Sequence, residues 1–342
     1  MSPNPYNTVP MSKQQLIAYA QHSRKSSKKS KKVFGIILGI VLACLLALGG
    51  CFLWFVLSLD NALSRNTDNE SFSILAEPMG DQPFYVLVLG SDERIDEHNL
   101  EASQRTDVMI LTRIDPKNRQ VTMLSIPRDT RYELEDGTVV KINELYNIGG
   151  IEKTIQGVSE LTGLPISHYA LIYMSDCKEI VDELGGVEID VQFEINNNDP
   201  ETEENINVQP GRQTLNGQQA QAYAISRHDV ELDQDAHRQD KIRTLIEAVI
   251  DKLFDRPATE IPSKIIALAK YVHTDLRAMD ITKLAMNFAT SSKPLTVYRA
   301  SGPSDGGLDE SVGLWLCYEN PEGWANVVSV MDSGGDPSTV EY

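Results

Sequence analysis

Residues 33–57 form an apolar run without a single charged side chain. As a helix, a run of this length would cross the hydrocarbon core of a bilayer. Residues 1–32 precede it and contain seven Lys and Arg residues but no acidic residue. Because positive residues stay on the cytoplasmic side, the pattern predicts a single transmembrane helix, with its N-terminal tail in the cytoplasm and the rest of the chain outside the cell. A cleaved signal peptide is the alternative, since residues 48–51 faintly resemble a lipoprotein processing site, but the apolar run continues beyond them.

The chain after the apolar run is acidic. All 49 Asp and Glu residues lie there, and the net charge of the whole chain is −18. This charge argues against nucleic acid as a partner. Cys177 and Cys317 fall in the part predicted to be extracellular, where disulfides are possible, but the sequence does not establish whether they pair. No Cys/His spacing typical of a zinc site is present.

Charged residues are concentrated at one end of a predicted β-hairpin. Residues 108–115 and 121–126 are apolar or β-branched runs of strand length, and the residues between them are typical of a turn. Counting outward from the turn places Asp107 opposite Arg128 and brings Arg105 to the same edge. Any one of these charges could belong to an ordinary solvated loop end. The cluster as a whole favours a functional site.

A third strand is predicted to bring another carboxylate to this edge. Residues 84–89 are fully apolar and stop at Gly90, which places Asp92 at the end of the strand. If this strand pairs with the hairpin, Asp92 joins Asp107, and two converging carboxylates need a cation or a shared proton. Magnesium is the natural candidate outside a cell because it takes carboxylate and phosphate oxygens together. The sequence therefore predicts a magnesium site with Asp92 and Asp107 as ligands.

The remaining segments alternate between helical and strand-like patterns, which predicts a layered α/β domain whose sheet is mixed because it contains the hairpin. Predicted helices cover residues 151–161, 176–184, 218–223, 242–254, 261–271 and 281–289, predicted strands cover residues 169–174, 187–191 and 295–300, and residues 315–331 are predicted as a strand, a turn and a helix. Polar residues 193–214 predict a solvated excursion. The Gly/Ser/Pro-rich end, residues 333–342, predicts a flexible tail.

An arginine stands at the start of the longest amphipathic helix. Apolar residues from Ile242 to Phe254 form one stripe, which extended backward by four residues meets Arg238. A buried arginine in a first helical turn is opposed by the helix dipole and needs a partner. An anion bound by Arg238 and the first-turn N–H groups would offset the unfavourable dipole and would also pair with the arginine. The alternative is an internal salt bridge, for instance to Asp235. The sequence leaves both alternatives open.

Several short motifs follow one another along the chain: GSD at residues 90–92, RTD at 105–107, SIPRDT at 125–130, KIN at 141–143, DELGGVEIDV at 182–191, LNGQQAQAY at 215–223, SRH at 226–228 and RQ at 238–239. Taken together, they resemble the LytR-CpsA-Psr family. Their order and spacing match the family from about residue 84 to residue 254, and as a set they are highly specific. The basic tail and the single anchor ahead of them fit the family as well.

The resemblance implies a mixed central sheet in an α/β/α sandwich, preceded by the transmembrane helix. The chain is then expected to consist of a basic cytoplasmic tail (1–32), a transmembrane anchor (33–57), an extracellular stalk (58–82), an extracellular LytR-CpsA-Psr domain (83–332, with the motif core at 84–254) and a flexible tail (333–342). The resemblance further implies a membrane-anchored phosphotransferase. Such an enzyme moves a glycopolymer from a polyprenyl pyrophosphate carrier onto peptidoglycan and releases polyprenyl phosphate.

The resemblance also implies roles for the residues that match the motifs. Magnesium and pyrophosphate would be held by Asp92 and Asp107, the phosphates would be bound by Arg105, Arg128, Arg227, Arg238 and Gln239, and the catalytic residues would be Asp92, Asp107 and Arg128. Asp107 would also accept the proton of the attacking sugar hydroxyl. These residue types suit phosphoryl transfer, which depends on positioning and charge neutralisation more than on covalent catalysis.

The chain departs from the family pattern at three positions. The family often has a basic residue where Gln104, Ile225 and Asp235 stand. The phosphate site would therefore contain fewer cations than is usual. The alternative function is a non-catalytic protein of the same fold that binds polyprenyl-phosphate lipids or wall glycan.

Overall fold

The computed structural model describes residues 50–51, 53–63, 73–77, 82–92, 105–198, 205–226, 234–255, 260–290 and 293–342. The chain divides into two compact units, residues 1–55 and residues 56–342. Most of the predicted anchor, residues 33–57, lies outside the described residues. Among the described residues, no helix is both long enough and apolar enough to span a membrane. The transmembrane helix therefore stays a prediction.

The second unit contains the strands and most of the helices. The strands are β1 (Phe84–Asp92), β2 (Arg105–Asp115), β3 (Gln120–Ser125), β4 (Arg131–Glu133), β5 (Val139–Lys141), β6 (Ile166–Tyr173), β7 (Val187–Val191), β8 (Ile195–Asn198), β9 (Asn205–Val208), β10 (Gly211–Leu215), β11 (His273–Thr274), β12 (Thr296–Ser301), β13 (Gly306–Asp309) and β14 (Leu314–Cys317). The α-helices are α1 (residues 53–63), α2 (Leu145–Thr162), α3 (Cys177–Glu183), α4 (Gly217–Ile225), α5 (Gln234–Phe254), α6 (Ile261–Ala269), α7 (Ala278–Thr290) and α8 (Pro321–Asp332). Short 3-10 helices lie at Ile142–Glu144, Met174–Asp176 and Pro337–Thr339.

A six-stranded sheet with the order β11-β6-β1-β2-β3-β12 forms the centre of the domain. Strand β2 pairs antiparallel with both β1 and β3, and these pairs form the predicted hairpin and its predicted third strand. The pairs β1–β6 and β3–β12 are parallel. The sheet is therefore mixed, as the sequence predicted. A parallel pair needs a crossover connection, and the connection from β1 to β6 contains β2 to β5 and then α2, which leads into β6.

The side chains of β2 alternate between two hydrophobic cores, one on each face of the sheet. Met109 and Leu111 belong to a core that also contains residues of α2 and α8. Val108 and Ile110 belong to a second core, which contains residues of α3, α4 and α5. A strand buried on both faces has no polar face, and this explains the continuous apolar run at residues 108–111 of β2. Helices on both faces make the domain an α/β/α sandwich.

Two sequence predictions about the periphery were wrong. The predicted solvated excursion, residues 193–214, contains the hairpin of β8 and β9 and also most of β10, which pairs with β7. Ile195 and Val208 are buried in this segment. The sequence did not predict the hairpin because these two apolar residues are isolated in a polar segment and show no clear period. The predicted flexible tail, residues 333–342, is packed on the domain: Gly334 O accepts a hydrogen bond from Gln120 Nε2 at 2.8 Å, and Pro337 is buried.

The start of the predicted stalk is also part of the folded domain. Residues 58–63 are helical, and Leu59 and Leu63 are buried. Cys177 and Cys317 are both buried, and no disulfide joins them. Burial raises the pKa of the Cys177 thiol to about 12. The pairing that the sequence left open is therefore not formed.

Candidate phosphate-binding site

The predicted pairing of Asp107 with Arg128 is present in the structure. Strands β2 and β3 pair in a single register from Asp115 opposite Gln120 to Ile110 opposite Ser125. The same register, continued three residues past the last pair, opposes Asp107 and Arg128. Arg128 Nη1 donates a hydrogen bond to Asp107 Oδ1 at 3.0 Å, with side-chain exposures of 20% and 13%.

A β-bulge sets the position of Asp107. Gly90 pairs with Val108, whereas the next residue of β1, Ser91, pairs with Thr106, so that Asp107 is the extra residue of β2. A bulge bends a strand and redirects its side chains, and it is common beside functional sites. Gly90 allows the close approach, because a Cβ at this position would lie 3.0 Å from the Val108 side chain.

Asp92 lies at the same end of the sheet as Asp107. Its backbone pairs with that of Arg105, two residues from Asp107. The side chain of Asp92 is outside the described part of the structure, so its role as a magnesium ligand stays a prediction. Within the described residues, no group of three His, Cys, Asp or Glu side chains is arranged to hold a metal ion.

The loop that carries Arg128 is held by backbone hydrogen bonds. Thr130 closes a turn, because its N–H and its Oγ1 both donate to Pro127 O, at 3.1 and 2.7 Å. Ile142 N then donates to Thr130 O at 2.9 Å, and Asn143 N donates to Arg128 O at 3.3 Å. The residues that follow β5 therefore run alongside the Arg128 loop.

These contacts bring two further residues into the site, Lys141 and Asn143, whose roles the sequence did not predict. Asn143 Nδ2 donates to Asp107 Oδ1 at 3.3 Å, and the Lys141 ammonium contacts the carboxylate of Asp129. Arg128 Nε lies 3.5 Å from the same Asp129 carboxylate. Charges of alternating sign thus follow one another from Lys141 to Asp107. The only sequence signal for Lys141 and Asn143 was the KIN motif that they share.

Arg105 stands at the solvent edge of the site. Its Nη2 lies 2.7 Å from Glu144 Oε1, and its side chain is 52% exposed. An ion pair this exposed is held weakly, with contributions of about 0–1 kcal/mol. Arg105 can therefore exchange Glu144 for an anionic ligand at little cost.

The remaining predicted phosphate-binding residues lie at or beside α5. Arg238 and Gln239 are in the first turns of α5, but their side chains are outside the description, as is all of Arg227. Lys241 in the same helix donates from Nζ to Ser226 O and Oγ, both at 2.9 Å. This contact joins the residue before Arg227 to α5. The structure does not test whether these three residues approach Asp107, so their roles stay predictions.

Comparison with known proteins places these features in a family. Residues 56–308 match the model of the LytR_cpsA_psr family. The chain is 32% identical over 243 residues to the polyisoprenyl-teichoic acid–peptidoglycan teichoic acid transferase TagU of Halalkalibacterium halodurans, and the match covers 70% of this chain and 76% of TagU. It is also 32% identical over 218 residues to TagV of Bacillus subtilis, a teichoic acid transferase of the same name, with 61% of this chain and 54% of TagV covered.

Solved structures show the same fold. The crystal structure of B. subtilis TagV matches with a TM-score of 0.63 at 25% identity, covering 77% of this chain and 100% of TagV. The structure described as TagT bound to LIIa-WTA matches with a TM-score of 0.59 at 22% identity, covering 78% of this chain and 97% of that chain. At 22% identity, this second likeness concerns the fold alone.

Proposed function

Because this chain belongs to the LytR_cpsA_psr family, we propose that it is a transferase that moves a glycopolymer from a polyprenyl pyrophosphate carrier onto peptidoglycan. Its relatives TagU and TagV are named as polyisoprenyl-teichoic acid–peptidoglycan teichoic acid transferases. The observation that carries the proposal is the 3.0 Å contact between Arg128 and Asp107 at the end of the sheet. This contact supports the proposal because a guanidinium can bind phosphate oxygens and a neighbouring carboxylate can accept a proton.

In the proposed reaction, a sugar hydroxyl of peptidoglycan attacks the phosphorus atom that carries the glycopolymer. The bond from this phosphorus to the bridging oxygen of the pyrophosphate breaks, and polyprenyl phosphate leaves with that oxygen. The glycopolymer is then joined to peptidoglycan through a phosphodiester. The hydroxyl proton passes to the carboxylate of Asp107, while Arg128 and Arg105 donate hydrogen bonds to phosphate oxygens whose negative charge is redistributed as the bonds change.

Magnesium is the proposed cation of this site, and the residues present fit it. Asp107 offers carboxylate oxygens, and Asn143 Oδ1 is a buried oxygen that has no hydrogen-bond partner among the described residues. Hard cations prefer oxygen ligands of this kind. Asp107 and Asp92 would hold the ion, with Asn143 beside them. Bound magnesium would neutralise part of the charge of the pyrophosphate.

The proposed activity is tested with the purified full-length protein, polyprenyl-pyrophosphate-linked glycan and uncrosslinked peptidoglycan. We expect polyprenyl phosphate to be released in the presence of magnesium, together with an equal amount of glycan attached to peptidoglycan. Release should stop when EDTA is added. Tight binding of the lipid donor without any release would contradict the proposal and would identify a binding protein of the same fold.

We also propose that the protein is a single-pass membrane protein whose catalytic domain lies outside the cell, supported by the basic residues of 1–32 and the apolar run at 33–57. Protease added to intact, wall-stripped cells should digest the domain after Asp60 and spare an epitope tag at the N-terminus. In permeabilised cells the tag should be digested as well. A domain that resists protease in intact cells but not in permeabilised cells would show the opposite topology.

A further inference from the structure

An exposed aromatic residue lies on the hairpin formed by β13 and β14. Trp315 is 44% exposed, and Leu308, directly opposite it in the hairpin register, is 65% exposed. Val312, between the two strands, is also exposed. Exposed apolar side chains scattered singly are ordinary, but a contiguous group that includes a tryptophan marks a binding surface.

The ring of Trp315 is held in place by Gly306. A Cβ at Gly306 would lie 2.6 Å from Trp315 Cη2, so the indole lies against the backbone of β13. Only a glycine leaves room for this contact. A ring that packs on the strand with one side and faces solvent with the other offers a flat aromatic surface. Such a surface loses little conformational entropy when a ligand binds.

The hairpin connects directly to the candidate phosphate-binding site. Cys317 N donates a hydrogen bond to Asp129 O at 2.9 Å, and Cys317 forms a β-bridge with Thr130. Trp315 is two residues from Cys317, a distance of about 7 Å along a strand. A ligand that lies on Trp315 and extends along β14 therefore reaches the loop that carries Arg128.

The charge of this region indicates which kind of ligand suits it. Residues 301–342 contain eight acidic residues and no Lys, Arg or His, and two of the acidic residues, Asp309 and Glu310, are in the hairpin. The nearby cation Arg131, on β4, is paired with Glu319 at 2.8 Å. A surface of this charge repels phosphate-rich polymers and anionic lipid headgroups. It does not repel an uncharged sugar ring. Sugar rings also have a face of C–H groups that packs on an aromatic ring, while their hydroxyl and amide groups donate hydrogen bonds to neighbouring carboxylates.

From these observations we infer that the β13–β14 hairpin binds the acceptor of the transfer reaction, with an uncharged stretch of the peptidoglycan sugar chain stacked on Trp315. The inference rests on the proposed function, to which it adds an acceptor-binding surface. The match to the family model ends at residue 308. Trp315 therefore belongs to a part of the chain that the family motifs do not cover.

The test measures binding of an uncharged N-acetylglucosamine oligosaccharide, the sugar of the peptidoglycan strand that carries no carboxylate, to the detergent-solubilised full-length protein by isothermal titration calorimetry. Trp315→Ala should weaken binding at least about tenfold, whereas Trp315→Phe, which keeps an aromatic face, should stay within about threefold of wild type. Phe193→Ala is the matched control, because Phe193 is an aromatic residue that is 50% exposed in another part of the domain. This control should bind the glycan as the wild type does.

Two results would overturn the inference. One is equal glycan binding by Trp315→Ala and wild type. The other is quenching of Trp315 fluorescence by brominated phospholipids in proteoliposomes. The Trp315 signal is the difference in fluorescence between wild type and Trp315→Phe. Its quenching would identify the hairpin as a membrane contact. The release of polyprenyl phosphate, measured in parallel, separates the two proposals. If polyprenyl phosphate is released but glycan binding does not depend on Trp315, only the acceptor surface is contradicted. If glycan binding depends on Trp315 but no polyprenyl phosphate is released, only the transferase activity is contradicted.

Discussion

Replacing Arg128 with lysine is expected to lower glycopolymer transfer at least about tenfold, and replacing it with alanine is expected to lower transfer further. Arg128 follows Pro127, which has no N–H and so ends the regular pairing of β3. A charge-assisted contact with a phosphate contributes roughly 1.5–3 kcal/mol, and about 1.4 kcal/mol corresponds to one decade in rate. Lysine keeps the charge but lacks the planar fork that binds two phosphate oxygens at once. The measurement is the rate of polyprenyl phosphate release at saturating magnesium.

The matched control is Arg212→Lys, because Arg212 is 78% exposed and pairs with Glu188 away from the site. It should transfer at the wild-type rate. Thermal unfolding of Arg128→Ala should show a loss of no more than about 1–2 kcal/mol, since the ion pairs of Arg128 are partly solvated and Lys141 still neutralises Asp129. If Arg128→Ala instead unfolded the domain while the folded fraction kept its affinity for the lipid donor, Arg128 would be a structural residue.

The hairpin could be predicted from sequence because its register is strongly determined. Both strands consist mostly of apolar and β-branched residues, and the turn between them has typical turn residues. A slip of one residue would move each strand's side chains to the opposite face of the sheet. The count that placed Asp107 opposite Arg128 therefore agrees with the structure. The bulge at Gly90 was not predictable in detail, since it arises from how β1 packs on β2.

Asn143 and Lys141 show why the rest of the site could not be predicted. They come to Asp107 and Asp129 because the residues after β5 hydrogen-bond to the Arg128 loop, and no local pattern specifies that packing. At residues 193–214 the polar composition predicted a solvated excursion, whereas the structure has a small hairpin there. The polar residues lie on the exposed faces of this hairpin, and the buried Ile195 is too isolated to show a strand period.

Asp107→Asn is expected to abolish the magnesium-dependent part of pyrophosphate binding while the domain stays folded. Asparagine has the shape of aspartate, so its oxygen can keep the contacts with Arg128 and Asn143. The amide lacks the negative charge that a hard cation needs. The measurement is the affinity of the full-length protein for a short-chain polyprenyl pyrophosphate in magnesium and in EDTA. Wild type should bind more tightly in magnesium, and the variant should bind equally in both.

The two conditions distinguish a metal ligand from a residue that only supports the fold. In EDTA the Asp107 carboxylate repels the pyrophosphate, so the variant should bind as tightly as wild type or more tightly. In magnesium the variant should bind more weakly, because the cation that joins carboxylate and phosphate is no longer held. Loss of a structural residue would weaken binding in both conditions. Asp190→Asn on β7, where the residue is exposed, is the matched control and should behave as wild type. If Asp107→Asn still bound the polyprenyl pyrophosphate more tightly in magnesium than in EDTA, the cation would be held elsewhere. The assignment of Asp92 and Asp107 as magnesium ligands would then be wrong.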